Sequence, residues 1–266
     1  MNKSSKSHRI IVFAVICCAA LTIPGLFALR SVRSRQTPPR AVKAVSNIRA
    51  LQIVSTVTTQ VGENVNLHVT VKNVSEKGIV EYAFIKRDGS IMSTSGATTG
   101  WILAPGSKDT MIVSISPGDG EETILFAALF EDGTGEGDAK EVANMRDYRA
   151  GVAHQFERAL TILQQKKNAS DNGQAATVLD ELEKQFSELP EEEVSENVSP
   201  AMASGIKHTK QFVLQYKPSR QRLEVDNATA LQAIREDSDR LLGEIEKALS
   251  KIHQRPSDSQ HSPNRR

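Results

Sequence analysis

The sequence predicts an α+β protein with an N-terminal transmembrane helix, an antiparallel β-sandwich and a C-terminal helical hairpin or bundle. Three observations lead to this prediction. An uncharged apolar run lies near the N-terminus, apolar and polar residues alternate with period two between residues 46 and 137, and apolar residues recur three and four apart between residues 138 and 255. The 266 residues suffice for a membrane segment and one or two modest domains.

Charge is distributed unevenly along the chain. Residues 1–43 contain eight Lys and Arg and no acid, whereas the remaining residues hold 25 basic and 32 acidic groups, a net charge of −7. An acidic body argues against nucleic acid as a partner, because phosphate binding depends on Lys and Arg. Cysteine occurs only at Cys17 and Cys18, so the body has no disulfide framework, no cysteine zinc site and no thiol nucleophile.

The apolar run, residues 10–29, has 20 residues without a charge, which matches the length needed to cross a bilayer. It follows a basic N-terminus, residues 1–9, and Leu26 is a poor residue for the −3 position of a cleavage site. We therefore expect an uncleaved transmembrane signal-anchor; a cleaved signal and a buried core helix are the alternatives. Basic residues flank both ends, and we expect a cytoplasmic N-terminus, a stalk linker over residues 30–45 and an extracytoplasmic body.

Residues 46–137 have the pattern of a sandwich of short strands separated by glycine- and proline-containing turns. In the clearest strand, Val65, Leu67 and Val69 alternate with polar residues that include His68. In the first strand, Leu51, Ile53 and Val57 alternate with Gln52, Thr56 and Thr58, which predicts that the three aliphatic residues share one face. The seven predicted strands are 51–58, 65–72, 79–87, 91–95, 98–104, 108–116 and 123–131.

The segments LHVTVKNVSEKGIVEYAF and LAPGSKDTMIVSI resemble the strand–turn layout of bacterial immunoglobulin-like and fibronectin-type extracytoplasmic domains. The resemblance covers about a third of the chain and implies an immunoglobulin-like β-sandwich. The paired cysteines and the core Trp arrangement of antibody domains are missing. The resemblance therefore implies a fold and assigns no functional residues.

The final predicted strand is apolar without interruption from Ile124 to Phe130. A strand that is apolar on both sides needs cover on both sides. One side faces the interior of the sandwich in this interpretation. The other side is expected to be covered by the helix that begins after Asp138, and it carries Leu125, Ala127 and Leu129.

Four helices are predicted over residues 138–255. Asp138 caps the first, with Glu141 completing a capping box, and the helix ends near Lys167. The others are predicted at 174–189, at 200–217 and at 219–253. The fourth carries a heptad-like seam over residues 231–252, for which packing within the chain and a coiled-coil homo-oligomer are the alternatives. Residues 256–266 are polar and are expected to form a disordered tail.

An acidic, glycine-rich turn holds the candidate metal ligands. Calcium prefers several oxygen ligands on a flexible loop, and this turn contains Glu131, Asp132, Glu136 and Asp138. It lacks the alternating Asx ligands of an EF-hand loop, so a strand-to-helix connection is favoured and no metal site is assigned. No catalytic residue and no cofactor site are assigned either, because the sequence contains no hydrolase, metalloprotease or nucleotide-binding motif.

Three other features have both a functional and a structural interpretation. His68, His154, His208 and His253 are far apart and lack metal-ligand spacing. The acidic residues between Asp180 and Glu196 could dock a basic partner, but a solvated face and linker are favoured. The sequons at Asn73, Asn168, Asn197 and Asn227 matter only in a glycosylating host.

Together these observations predict a membrane-anchored, extracytoplasmic, non-enzymatic protein that binds a protein partner or scaffolds an assembly. One alternative is an enzyme or an accessory subunit whose site gathers residues distant in sequence, which a deep pocket lined by Asp, Glu and His would favour. The other is a secreted domain released by signal cleavage.

Overall fold

The computed structural model describes six segments that belong to one compact unit, Pro39–Arg266: residues 42–61, 64–115, 122–169, 174–191, 198–216 and 220–253. The predicted basic N-terminus (1–9), the transmembrane segment (10–29) and the C-terminal tail (256–266) lie outside them. None of the helices in the described segments is long and apolar enough to cross a membrane.

Two packed sheets form the predicted β-sandwich. The first sheet has the order β1-β7-β4-β5, with β8 also pairing to β7, and the second has the order β2-β3-β6. Pairing is antiparallel except between β1 and β7. The eight strands in the described residues are β1 Lys43–Ser46, β2 Leu51–Val61, β3 Asn64–Asn73, β4 Ile79–Lys86, β5 Ile91–Ser95, β6 Lys108–Ile115, β7 Glu122–Phe130 and β8 Gly135–Gly137.

Aliphatic and aromatic side chains from both sheets fill the sandwich interior. The ring of Tyr82 packs edge-on against Phe84, with centroids 6.0 Å apart. The Tyr82 hydroxyl donates a hydrogen bond to the Asp109 carboxylate at 2.7 Å, which satisfies its polar end at the rim of the core. Fully buried interior residues include Leu67, Val69, Val71, Ile79, Val113 and Leu125.

A β-bulge in β7 changes the predicted faces of this strand. Two adjacent residues of β4 pair with Ala127 and Leu125, so Phe126 is an extra residue in the ladder. Leu125 consequently lies in the sandwich interior, whereas Ala127 and Leu129 lie on the outer face. The prediction that these three residues share one face is wrong for Leu125, because strict alternation holds only in a strand without a bulge.

The predicted strand at 98–104 is also wrong. This segment forms turns, and only Leu103 makes an isolated bridge, to Ile79. Gly100 adopts a φ of 65°, which interrupts an extended conformation. The Leu103 carbonyl accepts hydrogen bonds from the Ile79 N–H at 3.1 Å and from the side-chain amide of Asn73 at 2.8 Å, so pairing with β4 is limited to this single residue.

Two short strands lie where the sequence predicted none. β1 (Lys43–Ser46) lies at the end of the predicted stalk linker and pairs in parallel with β7, whereas β8 (Gly135–Gly137) lies in the predicted acidic turn. Both are too short to show a period-two pattern. Their extended conformation depends on pairing with β7 and not on their own composition.

Four α-helices and one short 3-10 helix follow the strands in the described residues. The long first helix carries the predicted buried stripe, which includes Val152, Phe156 and Leu163. Its neighbours bury Leu179, Leu182, Phe186 and Ile206, as their spacing predicts. The elements are α1 Ala139–Ala169, α2 Ala175–Ser187, α3 Pro200–Tyr216, the 3-10 helix Arg220–Glu224 and α4 Asn227–Ile252.

The fourth helix begins later than predicted. A 3-10 helix ends at Glu224, and α4 is capped by Asp226, whose side chain accepts hydrogen bonds from the backbone N–H groups of Ala228 and Thr229 at 3.1 Å. This Asp is a strong N-cap, and it stops the two helical segments from merging. The pKa of Asp226 is lowered by these hydrogen bonds, that from Thr229 first.

Helices α1 and α3 approach each other closely through two glycines. A Cβ atom on Gly151 would lie 2.1 Å from the Met202 carbonyl oxygen, and one on Gly205 would lie 2.2 Å from the Tyr148 carbonyl oxygen. No other residue fits at either position without moving a helix backbone. The helical module is therefore fixed by backbone contact as well as by its apolar core.

Helix α1 joins the helical module to the sandwich. Asp138 accepts a hydrogen bond from the Glu141 N–H at 2.9 Å, and its own N–H donates to the Phe126 carbonyl in the bulge at 3.0 Å. The cap is thus tied to β7, while Glu141 accepts from Asn144 and does not complete the predicted box. Val142 and Met145 then pack on the outer face of the first sheet, as predicted for Ala127 and Leu129.

Candidate functional site

The outer face of the second sheet is the candidate functional site. Residues directly opposite one another form three rows across β2, β3 and β6. We call these nine residues the open face: Ser55–Thr70–Thr110, Val57–His68–Ile112 and Thr59–Asn66–Ser114. No acidic residue and no Lys or Arg stands among them.

The middle row of the open face is its apolar part. The side chain of Val57 is 56% exposed and that of Ile112 is 50% exposed, and His68 lies between them. A partner that covered the remaining exposed area of either aliphatic side chain would gain roughly 1 kcal/mol. Large exposed apolar patches bordered by polar residues mark protein-binding surfaces, and this row is a small patch formed by two aliphatic side chains on either side of His68.

Val57 reaches the open face because of a β-bulge. Ile53 pairs with Val71 and Ser55 pairs with Thr70, which leaves Val54 as the extra residue. Val57 therefore faces outward, and the prediction that it shares one face with Leu51 and Ile53 is wrong. Alternation alone does not reveal that Val57 is a surface residue. Its neighbours in the segment STVTTQ are polar, however, which is typical of an exposed strand.

Polar side chains of the open face are fixed across the strands. The hydroxyl groups of Thr70 and Thr110 lie 3.0 Å apart, and Ser114 donates to the Asn66 side chain at 3.0 Å. The Thr59 hydroxyl and the His68 Nε2 atom are 3.0 Å apart. The polar side chains of the face are therefore ordered, and a partner that binds it need not order them.

One end of the open face is basic. Lys72 and Lys108 lie directly opposite each other and form the next pair on this face beyond Thr70 and Thr110, two residues further along the strands. Two like charges in this position do not stabilise the sheet. They make the charge distribution of the surface asymmetric, with an uncharged, partly apolar centre and a positive end.

The four candidate calcium ligands each have a separate structural partner. Glu131 accepts a hydrogen bond from the Gly78 N–H at 3.0 Å, and Asp132 forms a salt bridge with Lys77 at 2.6 Å. Burial opposes ionisation of Asp132, but Lys77 and Thr134 outweigh it and lower its pKa. Both carboxylates are therefore held by groups that would compete with a cation.

The other two carboxylates point to different partners. Glu136 accepts hydrogen bonds from the N–H groups of Arg49 and Ala50 at 2.7 and 3.0 Å, whereas Asp138 caps α1. The turn thus joins the loop between β1 and β2 to the start of the helical module. Within the described residues, no group of three or more His, Cys, Asp or Glu side chains could hold a metal ion.

Two buried ionisable residues, Glu81 and Arg149, lie between the sandwich and α1, and no sequence motif points to them. Glu81 is 3% exposed and Arg149 is 7% exposed. Burial raises the pKa of Glu81 to about 8, while Arg149 and a hydrogen bond from Ser95 act in the opposite direction. Burial also lowers the pKa of Arg149. Glu81 is therefore mainly protonated at neutral pH.

A bulge explains how Glu81 enters this interface. Ile79 pairs with Phe130 and Glu81 pairs with Leu129, so Val80 and Glu81 both face α1. Arg149 was visible only as a charged residue in the apolar stripe of α1. The sequence alone does not predict that these two side chains lie in the same interface, because the bulge changes which residues of β4 face α1.

A recess of about 690 Å³ lies where the turn after β7 meets α1 and the adjacent ends of α3 and α4. It gathers acidic and imidazole groups distant in sequence, as the enzyme alternative requires. His253 lies 3.7 Å from Glu157, and Arg146 donates to the Gly133 carbonyl at 2.8 Å. No Ser, Thr, Cys, Lys or Tyr is among the described residues that line it.

The remaining predicted features do not join a site. His208 lies beside Tyr148, with ring centroids 5.9 Å apart, on the surface of the helical module. Asn73 of the first sequon is fully buried, and its amide nitrogen donates to the carbonyls of Lys77 and Leu103, so this side chain has a structural role. Asn197 and most of the acidic linker lie outside the described residues.

The heptad-like seam of α4 is occupied within the chain. Ile234, Leu241, Ile245 and Ala248 are buried in the core of the helical module. This is the intrachain alternative of the sequence analysis. We therefore do not propose a coiled-coil homo-oligomer through residues 231–252.

Comparison with known proteins gives one similarity. The family model of the cohesin domain matches residues 51–146, roughly a third of the chain, from the start of β2 into α1. The match includes all three strands of the open face. No characterised protein and no solved structure shows significant similarity to the chain.

Proposed function

We propose that this chain is a non-catalytic protein-interaction module that binds a partner protein on the open face of its sandwich. The observation that carries the proposal is the ordered row of Val57, His68 and Ile112, in which two aliphatic side chains are at least half exposed. The row lies on the side of the sheet that faces away from the core, so its aliphatic side chains contribute little to the stability of the sandwich.

The similarity to cohesin domains supports this proposal. Cohesin domains are non-catalytic modules that bind dockerin partner proteins. The matched residues, 51–146, contain the whole open face. A partner of this kind would place apolar groups over the middle row and acidic groups near Lys72 and Lys108.

The arrangement of the two sheets also supports the choice of surface. Helix α1 covers the outer face of the first sheet, where Ala127 and Leu129 are at most 1% exposed. The second sheet is the one that presents its outer face to solvent. The recess near His154 and His253 is a weaker candidate, because its acidic residues Glu131 and Asp132 already bind internal groups.

Membrane attachment is part of the same proposal. Residues 10–29 would anchor the chain, and the body would lie on the extracytoplasmic side, as is typical of cohesin domains. An anchored interaction module would hold its partner at the membrane surface. The mass of the mature N-terminus distinguishes this form from a secreted domain.

Site-specific photo-crosslinking tests the proposed surface. A photoreactive amino acid replaces Ile112 on the open face in the full-length chain, and a matched variant carries it at Val225, which is 52% exposed in the helical region. In cells that express the chain at its natural level, we expect a discrete protein adduct from the Ile112 variant only. Equal adducts from both positions, or none from Ile112, would contradict the proposal.

A further inference from the structure

Among the described residues, five strands of the sandwich lie at sheet edges, and they differ in how they are protected against pairing with another strand. β1 and β8 have only four and three residues. β5 is short, with five residues. β6 begins with the charged pair Lys108-Asp109, and Lys86 donates a hydrogen bond to the Ser114 carbonyl at 3.3 Å. Short length and charged side chains are the usual means by which edge strands avoid edge-to-edge association.

β2 lacks both kinds of protection. It has 11 residues, from Leu51 to Val61, and none is charged or is proline. In the described residues it pairs with β3 on one side only. Residues 54–60 are exposed on both faces of the strand, including Thr56 and Thr58, whose opposite residues on β3 are fully buried. The bulge at Val54 lies near the start of the strand and leaves the segment 55–60 regular.

The exposed segment of β2 is self-complementary about Val57. If a second copy pairs antiparallel around a two-fold axis at this residue, Val57 faces the partner's Val57, Ser55 faces the partner's Thr59 and Thr56 faces the partner's Thr58. Valine opposite valine and hydroxyl opposite hydroxyl are favourable cross-strand pairs, and no like charges meet.

We propose that a second copy of this chain adds to the edge of β2, forming a two-fold symmetric dimer through antiparallel pairing centred on Val57. The two three-stranded sheets then become one continuous six-stranded sheet. The apolar rows of the two open faces join end to end, from Ile112 of one protomer to Ile112 of the other. This inference concerns the edge of β2 and does not depend on a partner protein binding the open face.

The dimer doubles the surface that the sandwich offers. In an antiparallel pair, opposite Cα atoms are about 4.5–5.5 Å apart, so the two Val57 side chains are in contact. Neighbouring strands are about 4.8 Å apart, which places the two Ile112 residues about 24 Å from each other. These two separations provide the test.

Disulfide cross-linking measures the separations. Val57→Cys is made in the full-length chain with Cys17→Ser and Cys18→Ser, and Ile112→Cys in the same background is the matched control. Upon mild oxidation in detergent solution, we expect a covalent dimer from Val57→Cys and none from Ile112→Cys, because a disulfide needs Cα atoms within about 7 Å. A monomeric Val57→Cys variant, or equal cross-linking of Ile112→Cys, would overturn the proposal.

A charge-pair experiment tests the register without cysteine. Ser55→Lys with Thr59→Lys places two like-charged pairs across the two-fold axis and is expected to weaken dimerisation about tenfold in sedimentation velocity. Ser55→Lys with Thr59→Glu makes both pairs opposite in charge and is expected to restore the dimer. Circular dichroism checks that both variants fold. Equal association of the two variants contradicts the proposed register.

Discussion

The two outer faces of the sandwich are both formed by paired β-strands, but one is covered by α1 and the other is exposed to solvent. The first sheet presents small and aliphatic side chains to α1, among them Val80, Ala83 and Ala127, all at most 1% exposed. The second sheet presents hydroxyl, amide and imidazole side chains, with Val57 and Ile112 exposed among them. The comparison shows that the residues on an outer face, more than the strands themselves, determine whether a sheet is covered within its own chain.

Both faces also depend on β-bulges. The bulge at Phe126 directs Ala127 and Leu129 toward α1 and exposes a carbonyl that binds the Asp138 N–H. The bulge at Val54 turns Val57 outward to the open face. One extra residue in a strand reverses all the faces that follow it, so each bulge determines which side chains are available on its sheet.

Truncation of one side chain on each face should give the largest expected difference between the two faces, measured as loss of the free energy of unfolding. Leu129→Ala removes a side chain that is 1% exposed and packed against α1, so it should lower the free energy of unfolding by about 2–5 kcal/mol. Ile112→Ala removes a half-exposed side chain and should cost less than about 1 kcal/mol. Urea unfolding of both variants measures the difference. Similar losses would show that the faces are equally packed.

The buried carboxyl group should give a distinctive pH dependence. Glu81 has a pKa raised from 4.5 to about 8 by burial, so the unfolded state releases this proton as the pH rises above 4.5 while the folded state retains it up to about 8. Its contribution to the free energy of unfolding therefore falls through this pH window.

The variant Glu81→Gln removes this titration. We expect the variant to gain about 2–4 kcal/mol relative to the wild type between pH 5 and pH 8, because one pKa unit corresponds to about 1.4 kcal/mol and most of the pKa shift lies within this pH range. Thermal or urea unfolding at several pH values measures the difference. Parallel pH profiles for the two proteins would mean that Glu81 is ionised in the folded state.

Alanine substitutions at two glycines distinguish the cost of a steric clash from the cost of backbone strain alone. Gly137 has a φ of 98°, and a Cβ atom there would lie 2.0 Å from the Phe126 carbonyl oxygen at the bulge. Gly89 has a φ of 84° with no atom within 4 Å of such a Cβ. Gly137→Ala should cost about 2–3 kcal/mol and Gly89→Ala about 1 kcal/mol. Equal losses in urea unfolding would indicate that the contact at the bulge is not tight.

The addition of calcium should have the smallest effect on stability. The carboxylates of Glu131, Asp132, Glu136 and Asp138 are each held by a different internal partner. We therefore expect the melting temperature to be the same in millimolar calcium and in chelator. A clear increase with calcium would show that the turn rearranges to bind the ion.

The sequence predicted the elements whose pattern is local and repeated. The stripe of α1, with Val142, Met145 and Phe156, follows directly from three- and four-residue spacing, and the strand from Val65 to Val71 follows from period two. These patterns require only that one side of the element is buried. They hold whatever the partner element is.

The parts that the sequence did not predict depend on distant pairing. β1 is a strand because Lys43–Ser46 pairs with Glu122–Leu125, and β8 is a strand because it pairs with the end of β7. The bulges at Val54 and Phe126 arise in the same way, from unequal numbers of residues between fixed points of two strands. The open face could not be predicted as a surface, because Val57 was assigned to the wrong side.

Thiol labelling tests the central claim, that one outer face of the sandwich is covered by α1 and the other is open. Ala127→Cys and Ile112→Cys are prepared in full-length chain with Cys17→Ser and Cys18→Ser, and the rate of alkylation is measured under native conditions. We expect Ile112→Cys to react at nearly the rate of the unfolded protein and Ala127→Cys to react at least a hundredfold more slowly, since its site is fully buried. Equal rapid labelling of both cysteines would contradict the account.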